Sequence, residues 1–399
     1  MTNHQPEIRH IANRAELEAV YDILGDVFPD GRDFFQKRLD HDSAYELSTT
    51  WIAMQQGDIA STIQVFPFAS RIEDVALKIG GIGSVATVPA FRGQGHCIQI
   101  LHRISAWMEQ QEYDLSLLFA VINPFYEKVG WSTVPETMYE MSRADSMVET
   151  SSEYDFIPFD PSYTEVISGI YEQFNSSVTG TVNRARGHWN DRLNWPKWQA
   201  SSCLLAVRNG VVVAYGHISE TAADGEAYLD ELCYAKGEEQ AVIPLFHALS
   251  KQRPEAERIL VNLPGDHVLI KNLSSWGALQ KTLPYMMWKI IRFQPLLTKL
   301  APVFRRRLQN SGEFAGASLE IEWEYDGKKA FFHYSNGEVT VEPNPREGAE
   351  YLHIGLTQKQ FVSLLLHGYG SSDAETLRFP VLEVLFPKQN FVFYLMDRF

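Results

Sequence analysis

One stretch restricts what this chain can fold into more than any other. Val75–Thr87 is rich in β-branched residues and predicts a strand. Val88-Pro89-Ala90-Phe91-Arg92-Gly93-Gln94-Gly95-His96 follows, and then Cys97, Leu101, Ile104 and Met108 recur at helical spacing. The order is strand, glycine-bearing loop, helix. Such a loop aims unpaired backbone N–H groups at one point, and the helix dipole favours negative charge there. From Ala90 to Met108 there is no Asp or Glu, while Arg92 and Arg103 are present. The run reads as a site for phosphate or pyrophosphate.

Three phosphate loops compete for this reading. A P-loop requires Gly-Lys-Ser/Thr, which is absent. Gly81-Ile82-Gly83-Ser84-Val85-Ala86 matches the dinucleotide pattern GxGxxA, but it continues into a β-rich run ending at Pro89, where that pattern demands a helix. The third is Arg-x-x-Gly-x-small, here Arg92-Gly93-Gln94-Gly95-His96-Cys97. About 30 residues on, a buried strand at Leu115–Ala120 leads into Asn123-Pro124-Phe125-Tyr126-Glu127-Lys128-Val129-Gly130-Trp131. Asn123 can cap a short helix that Pro124 starts and Gly130 stops.

The flanking sequence supplies the rest of a domain. Glu7–Ile11 reads as a strand and Ala15–Phe28 as an amphipathic helix. Trp51–Met54 and Ile59–Phe66 form a hairpin, and Met138–Met141 is a candidate closing strand. A polar stretch, Arg143–Tyr154, reads as a linker. Hairpin, strand, loop and helix then recur at Cys203–Val207, Val211–Ile218, Tyr228–Ala235 and Gln240–Lys251, which predicts a duplicated unit closed by Met286–Phe293. The final segment alternates Leu319, Ile321, Trp323 and Tyr325 with three glutamates, has hairpin turns at Asp326-Gly327 and Asn336-Gly337, and opens a helix with a Thr357/Gln360 capping box. That is an α+β unit with an antiparallel sheet.

The paired motifs resemble those of the GNAT acyltransferases, whose pyrophosphate loop is Gln/Arg-x-x-Gly-x-Gly/Ala. Cys97 is an unusual but small last residue. The second signature, strand then Asn-Pro-x-x-Phe-Tyr-x-x-x-Gly-Phe, is matched in shortened form by Asn123–Trp131. With a degenerate second unit and a sterol-carrier-protein-like (SCP2-like) end, the whole chain resembles the Eis (enhanced intracellular survival) N-acetyltransferases. The resemblance implies an α+β fold of tandem GNAT units followed by an SCP2-like domain, divided at 1–145, 146–293 and 294–399.

It also implies acetyl transfer from acetyl-CoA to primary amines of cationic small molecules, aminoglycoside-like, or of lysine side chains. The loop Arg92, Gly93, Gln94, Gly95, His96, Cys97 and Ile98 would hold the pyrophosphate. Val85, Ala86 and Thr87 would pair with the pantetheine arm, and Val121 and Ile122 would complete the cosubstrate site. The Val85 N–H is the implied oxyanion donor, and a bulge there would free it. Tyr126 suits a general acid, since a phenol of pKa ~10 stays protonated at neutral pH beside a departing thiolate of pKa ~8.5. The base that the resemblance implies is the terminal carboxylate of Phe399, at the end of an apolar tail that predicts burial. Asp26 and Asp397 are candidates for binding a cationic amine.

Other classes are disfavoured. Lys plus Arg is 35 against 50 for Asp plus Glu, a formal net charge of −15, which opposes broad nucleic-acid binding and suits a cationic partner. Arg305-Arg306-Arg307 in so acidic a chain reads as a solvated face. Cys97, Cys203 and Cys233 contain no CxxC, and the twelve histidines no HExxH, so no metal is expected. The polar Met1–His10 has no signal-peptide core, and apolar runs fall short of the ~20 residues that span a bilayer. A cytoplasmic protein without membrane insertion is expected, and the resemblance implies a homo-oligomer, a hexamer. In the second unit, Lys236-Gly237-Glu238-Glu239-Gln240 replaces the phosphate loop, so its two carboxylates should exclude CoA. The alternatives are an enzyme for a longer acyl-CoA, or a lipid-binding scaffold with a vestigial GNAT site.

Overall fold

A computed structural model describes residues 6–143, 153–196, 198–222, 224–371 and 378–399. The expected linker lies, apart from its ends, outside the described residues. The chain begins β1 (Glu7–His10), α1 (Arg14–Val27), α2 (Arg32–Asp40), β2 (Thr50–Gln55), β3 (Asp58–Ile72), β4 (Val75–Thr87), α3 (His96–Gln110), β5 (Leu115–Phe119), α4 (Asn123–Glu127), β6 (Ser132–Thr133) and β7 (Glu136–Ser142). It continues β8 (Asp155–Pro158), α5 (Thr164–Asn175), α6 (Arg186–Arg192), β9 (Cys203–Arg208), β10 (Val211–Ile218), β11 (Glu226–Tyr234), α7 (Val242–Lys251), β12 (Arg258–Val261), α8 (Val268–Leu273), β13 (Leu279–Leu283) and β14 (Met286–Ile290). It ends α9 (Phe293–Gln309), β15 (Leu319–Tyr325), β16 (Lys328–Ser335), β17 (Glu338–Glu342), β18 (Leu352–Leu356), α10 (Gln358–His367) and α11 (Pro380–Leu385).

These elements make an α+β fold with three sheets, ordered β1-β2-β3-β4-β5-β14-β6, β13-β7-β12-β11-β10-β9-β8 and β17-β16-β15-β18. Two compact units result, neither contiguous in sequence. The first holds the segment ending at His10, Thr50–Pro135 and Pro284–Asn390; the second holds Ile11–Thr49, Glu136–Leu283 and Phe391–Phe399.

The two closing strands are exchanged relative to the sequence expectation. β7 lies in the second sheet, where Met141 pairs with Ile259 and Tyr139 with Gln280. β14 lies in the first, where Met286 pairs with Phe119 and Trp288 with Ser132. Met286, Met287, Trp288 and Ile290 are almost wholly buried, so β14 suits a sheet interior. The sequence-ordered divisions at 145 and 293 therefore do not coincide with the compact units.

In the first unit, β2 and β3 meet at Gln56 and Gly57, both at positive φ, as the hairpin signal requires. α3 buries Ile100, Leu101, Ile104 and Met108 against the sheet. The inner face of the third sheet is filled by aromatic rings: Trp323, Phe361, Phe386 and Phe304 meet mostly edge to face at 5.3–6.5 Å, together with Phe332 and Phe293. The basic run is not a free solvated face. Arg306 and Arg307 both pair with Glu73 at the β3–β4 turn, at 2.9 and 2.8 Å.

Gln358, buried at the start of α10, joins the first and third sheets within this unit. Its Nε2 donates to Gly130 O (2.7 Å) and Ser132 Oγ (2.9 Å), and its Oε1 accepts from Ile290 N (2.9 Å) and the Tyr325 hydroxyl (2.8 Å).

In the second unit, Asn13 caps α1 by accepting from Glu16 N (3.0 Å), and the Tyr21 hydroxyl donates to Asp40 Oδ1 (2.9 Å) to join α1 to α2. Asp191 accepts from Ser43 N and Oγ at 3.0 and 2.7 Å. Among the described residues no helix is long and apolar enough to cross a membrane.

Gln358→Leu should strand several of these buried partners together. A loss of about 2–4 kcal/mol is expected, read as a lower unfolding midpoint in urea.

Candidate active site

The site begins where two strands part. β4 and β5 run parallel and pair from Ile79↔Leu115 to Ile82↔Leu118, and there the pairing stops. β4 continues to Thr87, still paired with β3 through Thr62↔Ala86 and Ser61↔Thr87. Past Ile82, the edge of β4 that faced β5 has no strand on it among the described residues, so an extended ligand can add there. Between Gln64↔Gly83 and Thr62↔Ala86, Ser84 and Val85 oppose the single residue Ile63. This is a β-bulge with Ser84 at φ 51°, where the sequence expectation for Val85 required one.

At the end of β4 three small polar side chains meet. Ser61 Oγ lies 2.6 Å from Thr87 Oγ1, which lies 3.1 Å from Cys97 Sγ. Cys97 is therefore a packing and hydrogen-bonding residue of the loop as well as its small terminus. It is a half-buried free thiol, while Cys203 and Cys233 are buried thiols in the second unit.

The loop turns on Gly93 (φ 77°) and Gly95 (φ 79°), conformations that favour glycine. A Cβ on either would meet nothing within 4 Å, so backbone conformation is what requires glycine here. Gln99 N donates to Gly95 O at 3.1 Å as the first bond of α3, which leaves the N–H groups of His96, Cys97 and Ile98 without helical acceptors. No acid lies in the first turn. Gln55 Nε2 donates to Gln94 Oε1 (3.0 Å), and Arg92 to Gln94 are exposed. His96 can offer a ligand only its backbone N–H, because its ring is buried. Its imidazole is 4% exposed, packs edge-on to Phe91, and has its pKa lowered by burial.

Beyond β5, Val121 and Ile122 are 84% and 66% exposed, unusual for large apolar residues and adjacent to the parted strands. α4 follows. Asn123 does not cap it; its Nδ2 donates to Thr133 Oγ1 (2.8 Å) and Pro284 O (2.7 Å). The helix is fixed from its other end, where Val129 N and Trp131 N both donate to Tyr126 O, at 3.1 and 3.2 Å. Tyr126 is half-buried against the core that also holds Val85, Cys97, Ile98 and Phe125. Burial, with a smaller contribution from Cys97, pushes its hydroxyl up to about 12.

The first unit thus gathers β4, the loop, α3 and Tyr126. The other expected residues belong to the second unit. Asp26 is exposed on α1, with no side-chain partner among the described residues. The tail is buried through Val392, Phe393 and Tyr394, in keeping with its apolar sequence, and Phe399 is half-buried with its ring edge-on to Phe393 at 6.5 Å.

Asp397 must be corrected as an amine ligand. Its carboxylate is 1% exposed and already accepts from Arg184 Nε (3.0 Å) and Nη2 (2.7 Å) and from Arg192 Nη1 (3.0 Å). Burial alone would raise its pKa, but the two guanidinium groups hold it well below the usual carboxylate range. Sequence reasoning missed both arginines, because neither lies in a motif and nothing local marks a buried cation.

Two further clusters hold acidic side chains. In the second unit, the loop between β11 and α7 carries Glu238, which accepts from Arg208 and from the Tyr154 hydroxyl (3.4 Å), and Glu239 lies in the turn that opens α7. Elsewhere Glu322, Glu324 and His353 bring ligand-type atoms within 4.8 Å of one another, but Lys329 already pairs with both glutamates.

Residues 7–134 match the acetyltransferase (GNAT) domain family. A sequence comparison with curated proteins finds no match. Solved structures match the whole chain at low identity. A probable N-acyltransferase from Enterococcus faecalis V583 is 18% identical, with a TM-score of 0.73 over 98% of this chain and 99% of that one. Eis1 from Mycobacterium abscessus is 14% identical, with a TM-score of 0.65 over 99% and 100%. A GCN5-related N-acetyltransferase from Anabaena variabilis is 15% identical, with a TM-score of 0.67 over 90% and 89%. Residues 7–134 thus carry the match to the acetyltransferase (GNAT) domain family, in a chain whose three-sheet fold is similar to that of Eis1 over its full length.

Proposed function

We propose that this enzyme transfers an acetyl group from acetyl-CoA to a primary amine of a cationic small molecule, aminoglycoside-like, or of a lysine side chain. The observation that carries the reading is the bulged, half-unpaired β4 running straight into an acid-free helix N-terminus, with Tyr126 in the same core. Orphan N–H groups of the loop through Ile98, with Arg92 beside them, suit a pyrophosphate. The edge of Val85–Thr87 suits the amides of the pantetheine arm, and Val121 and Ile122 suit its apolar parts.

In the reaction, the amine nitrogen attacks the thioester carbon. The carbonyl oxygen gains negative charge, and the Val85 N–H at the bulge is the donor assigned to it. Collapse breaks the C–S bond, and Tyr126 gives its proton to the departing sulfur. Burial raises the phenol, and a buried thiolate gains basicity for the same reason, so the two stay matched. The proton lost by the amine goes to the terminal carboxylate of Phe399, directly or through water. Asp26 is the remaining candidate for holding a second cationic group of the substrate. The net charge of −15 supports a cationic substrate class.

The decisive test follows thiol release from acetyl-CoA against polyamines, aminoglycosides and lysine peptides. Tyr126→Phe should lower kcat by about 100-fold with little change in KM for acetyl-CoA, in keeping with loss of a general acid. A Gly-Ser extension after Phe399 should lower kcat similarly. Full activity in the extended protein would remove the terminal carboxylate as base.

The raised phenol fixes the sign of the pH dependence. Tyr126 stays protonated below about 12, so its contribution is present across the working range and is lost only as pH rises through that value. With an amine of pKa ~10.4, kcat/KM should climb with pH and show no falling limb below about pH 10. A decline between pH 8 and 9 would contradict the assignment.

One CoA per chain is expected by calorimetry, because the acidic Glu238 and Glu239 loop of the second unit suits no pyrophosphate. A second equivalent would overturn that. The homo-oligomer, a hexamer, that the family resemblance implies is read from the solution mass of the same sample.

A further inference from the structure

The second unit contains a charged cluster that the reaction as described does not use. Arg184, Arg192, Glu231 and Asp397 are all buried, with side-chain exposures of 0–3%. Arg184 lies at its centre. It forks onto Asp397 through Nε and Nη2, and its Nη1 donates to Glu231 Oε1 at 2.9 Å. The Tyr215 hydroxyl donates to Glu231 as well. The guanidinium lies over the Tyr171 ring at 3.8 Å and the Trp189 ring at 4.9 Å. Two cations therefore face two anions out of water. Removing one partner leaves a buried charge uncompensated, so the arrangement holds one geometry.

Three of these residues come from the interior of the unit, and the fourth stands two residues from the end of the chain. Other contacts seat the same tail. Val392 N donates to Thr179 O (3.0 Å), Asn262 Nδ2 donates to Phe393 O (3.1 Å), and the Tyr394 hydroxyl donates to Asn175 Oδ1 (3.0 Å). Gly180, at φ 92°, leaves room for it. A Cβ there would lie 2.4 Å from the Phe391 ring and 2.8 Å from Val392 O. Beyond Asp397, Arg398 Nη2 donates to Glu136 Oε2 (2.5 Å). Segment ends ordinarily fray, and this one is tied down residue by residue.

We propose that Asp397, clamped by Arg184 and Arg192, is a positioning residue that fixes the carboxylate of Phe399 for proton transfer. The inference rests on the reading of that carboxylate as the base. A bidentate Arg–carboxylate pair constrains direction as well as distance, which a terminal residue needs if it is to act as a base. The cluster explains why an aspartate of the tail is buried where no substrate amine can reach it.

The test compares wild type, Asp397→Asn, Arg184→Lys, the Gly-Ser extension after Phe399, and the extension combined with Asp397→Asn. Two readouts are taken: kcat and KM for acetyl-CoA, and the rate at which carboxypeptidase A releases Phe399 from the folded, unextended proteins. Asp397→Asn should lower kcat by about 100-fold with KM for acetyl-CoA within about twofold, the size expected for a displaced catalytic group. It should also speed release of phenylalanine at least about tenfold, as for a frayed end. Arg184→Lys, which keeps the charge but loses the fork, should fall between. In the extended protein, Asp397→Asn should add no further loss of kcat, because the group it positions is already gone.

Wild-type kcat and wild-type phenylalanine release in Asp397→Asn would overturn the proposal. So would an equal loss of kcat in the extended and unextended proteins, which marks a purely structural role. An extension that leaves kcat intact while phenylalanine release stays slow in wild type and fast in Asp397→Asn would overturn the base reading and spare the tether. If Asp397→Asn does not fold, Arg184→Lys carries the test, since it keeps all four charges and loses the fork onto Asp397; unchanged kcat and phenylalanine release there would equally overturn the proposal.

Discussion

The parting of β4 from β5 is the constraint on which the candidate site depends. A parallel pair satisfies its backbone by evenly spaced bonds, and where pairing ends each strand is left with donors and acceptors on one side. Here it ends at Ile82 and Leu118, well before β4 itself ends. The bulge at Ser84–Val85 adds local twist at the same place. The far side of β5 cannot be left open as well, since it is buried, and β14 covers it with an apolar run. The sheet is thus complete along β5, and its open edge lies where β4 runs on past Ile82.

Polar groups divide between two environments with different consequences. On the loop, the N–H groups of His96, Cys97 and Ile98 have no helical acceptor, which leaves them able to meet an anion. In the second unit, charges are buried, and each must find a partner because an isolated ion in the interior is too costly. Asp397 illustrates the second case. By its acidity it is a candidate for binding a cationic amine, but its carboxylate is buried and already paired with two guanidinium groups. Asp26, exposed on α1, retains that capacity.

Reading local structure from this chain succeeded where backbone chemistry is local. The Arg92–Cys97 loop, the helix after it, the short Pro124 helix bearing Tyr126 and the Thr357 capping box each depend on residues within a few positions of one another. The bulge at Val85 could be expected only through family resemblance, since no side-chain pattern of β4 announces it. The bonding of Asn123 to Thr133 and Pro284, the inward turn of the His96 ring and the pairing of Arg306 and Arg307 with Glu73 depend on distant segments, and local pattern misassigned or missed them.

The sequence by itself determined the glycine-bearing loop before α3, the short helix that bears Tyr126 and the burial of the tail, because propensity, turn chemistry and apolar period act over short range. Only the tertiary structure decided which sheet each closing strand entered. Met138–Met141 and Met286–Phe293 carry the same kind of apolar signal, and an apolar strand is equally content in any sheet that buries it. It also decided the fate of Asp397. Whether a carboxylate meets solvent, substrate or an arginine more than 200 positions away in the chain is a property of packing, and no short-range pattern encodes it.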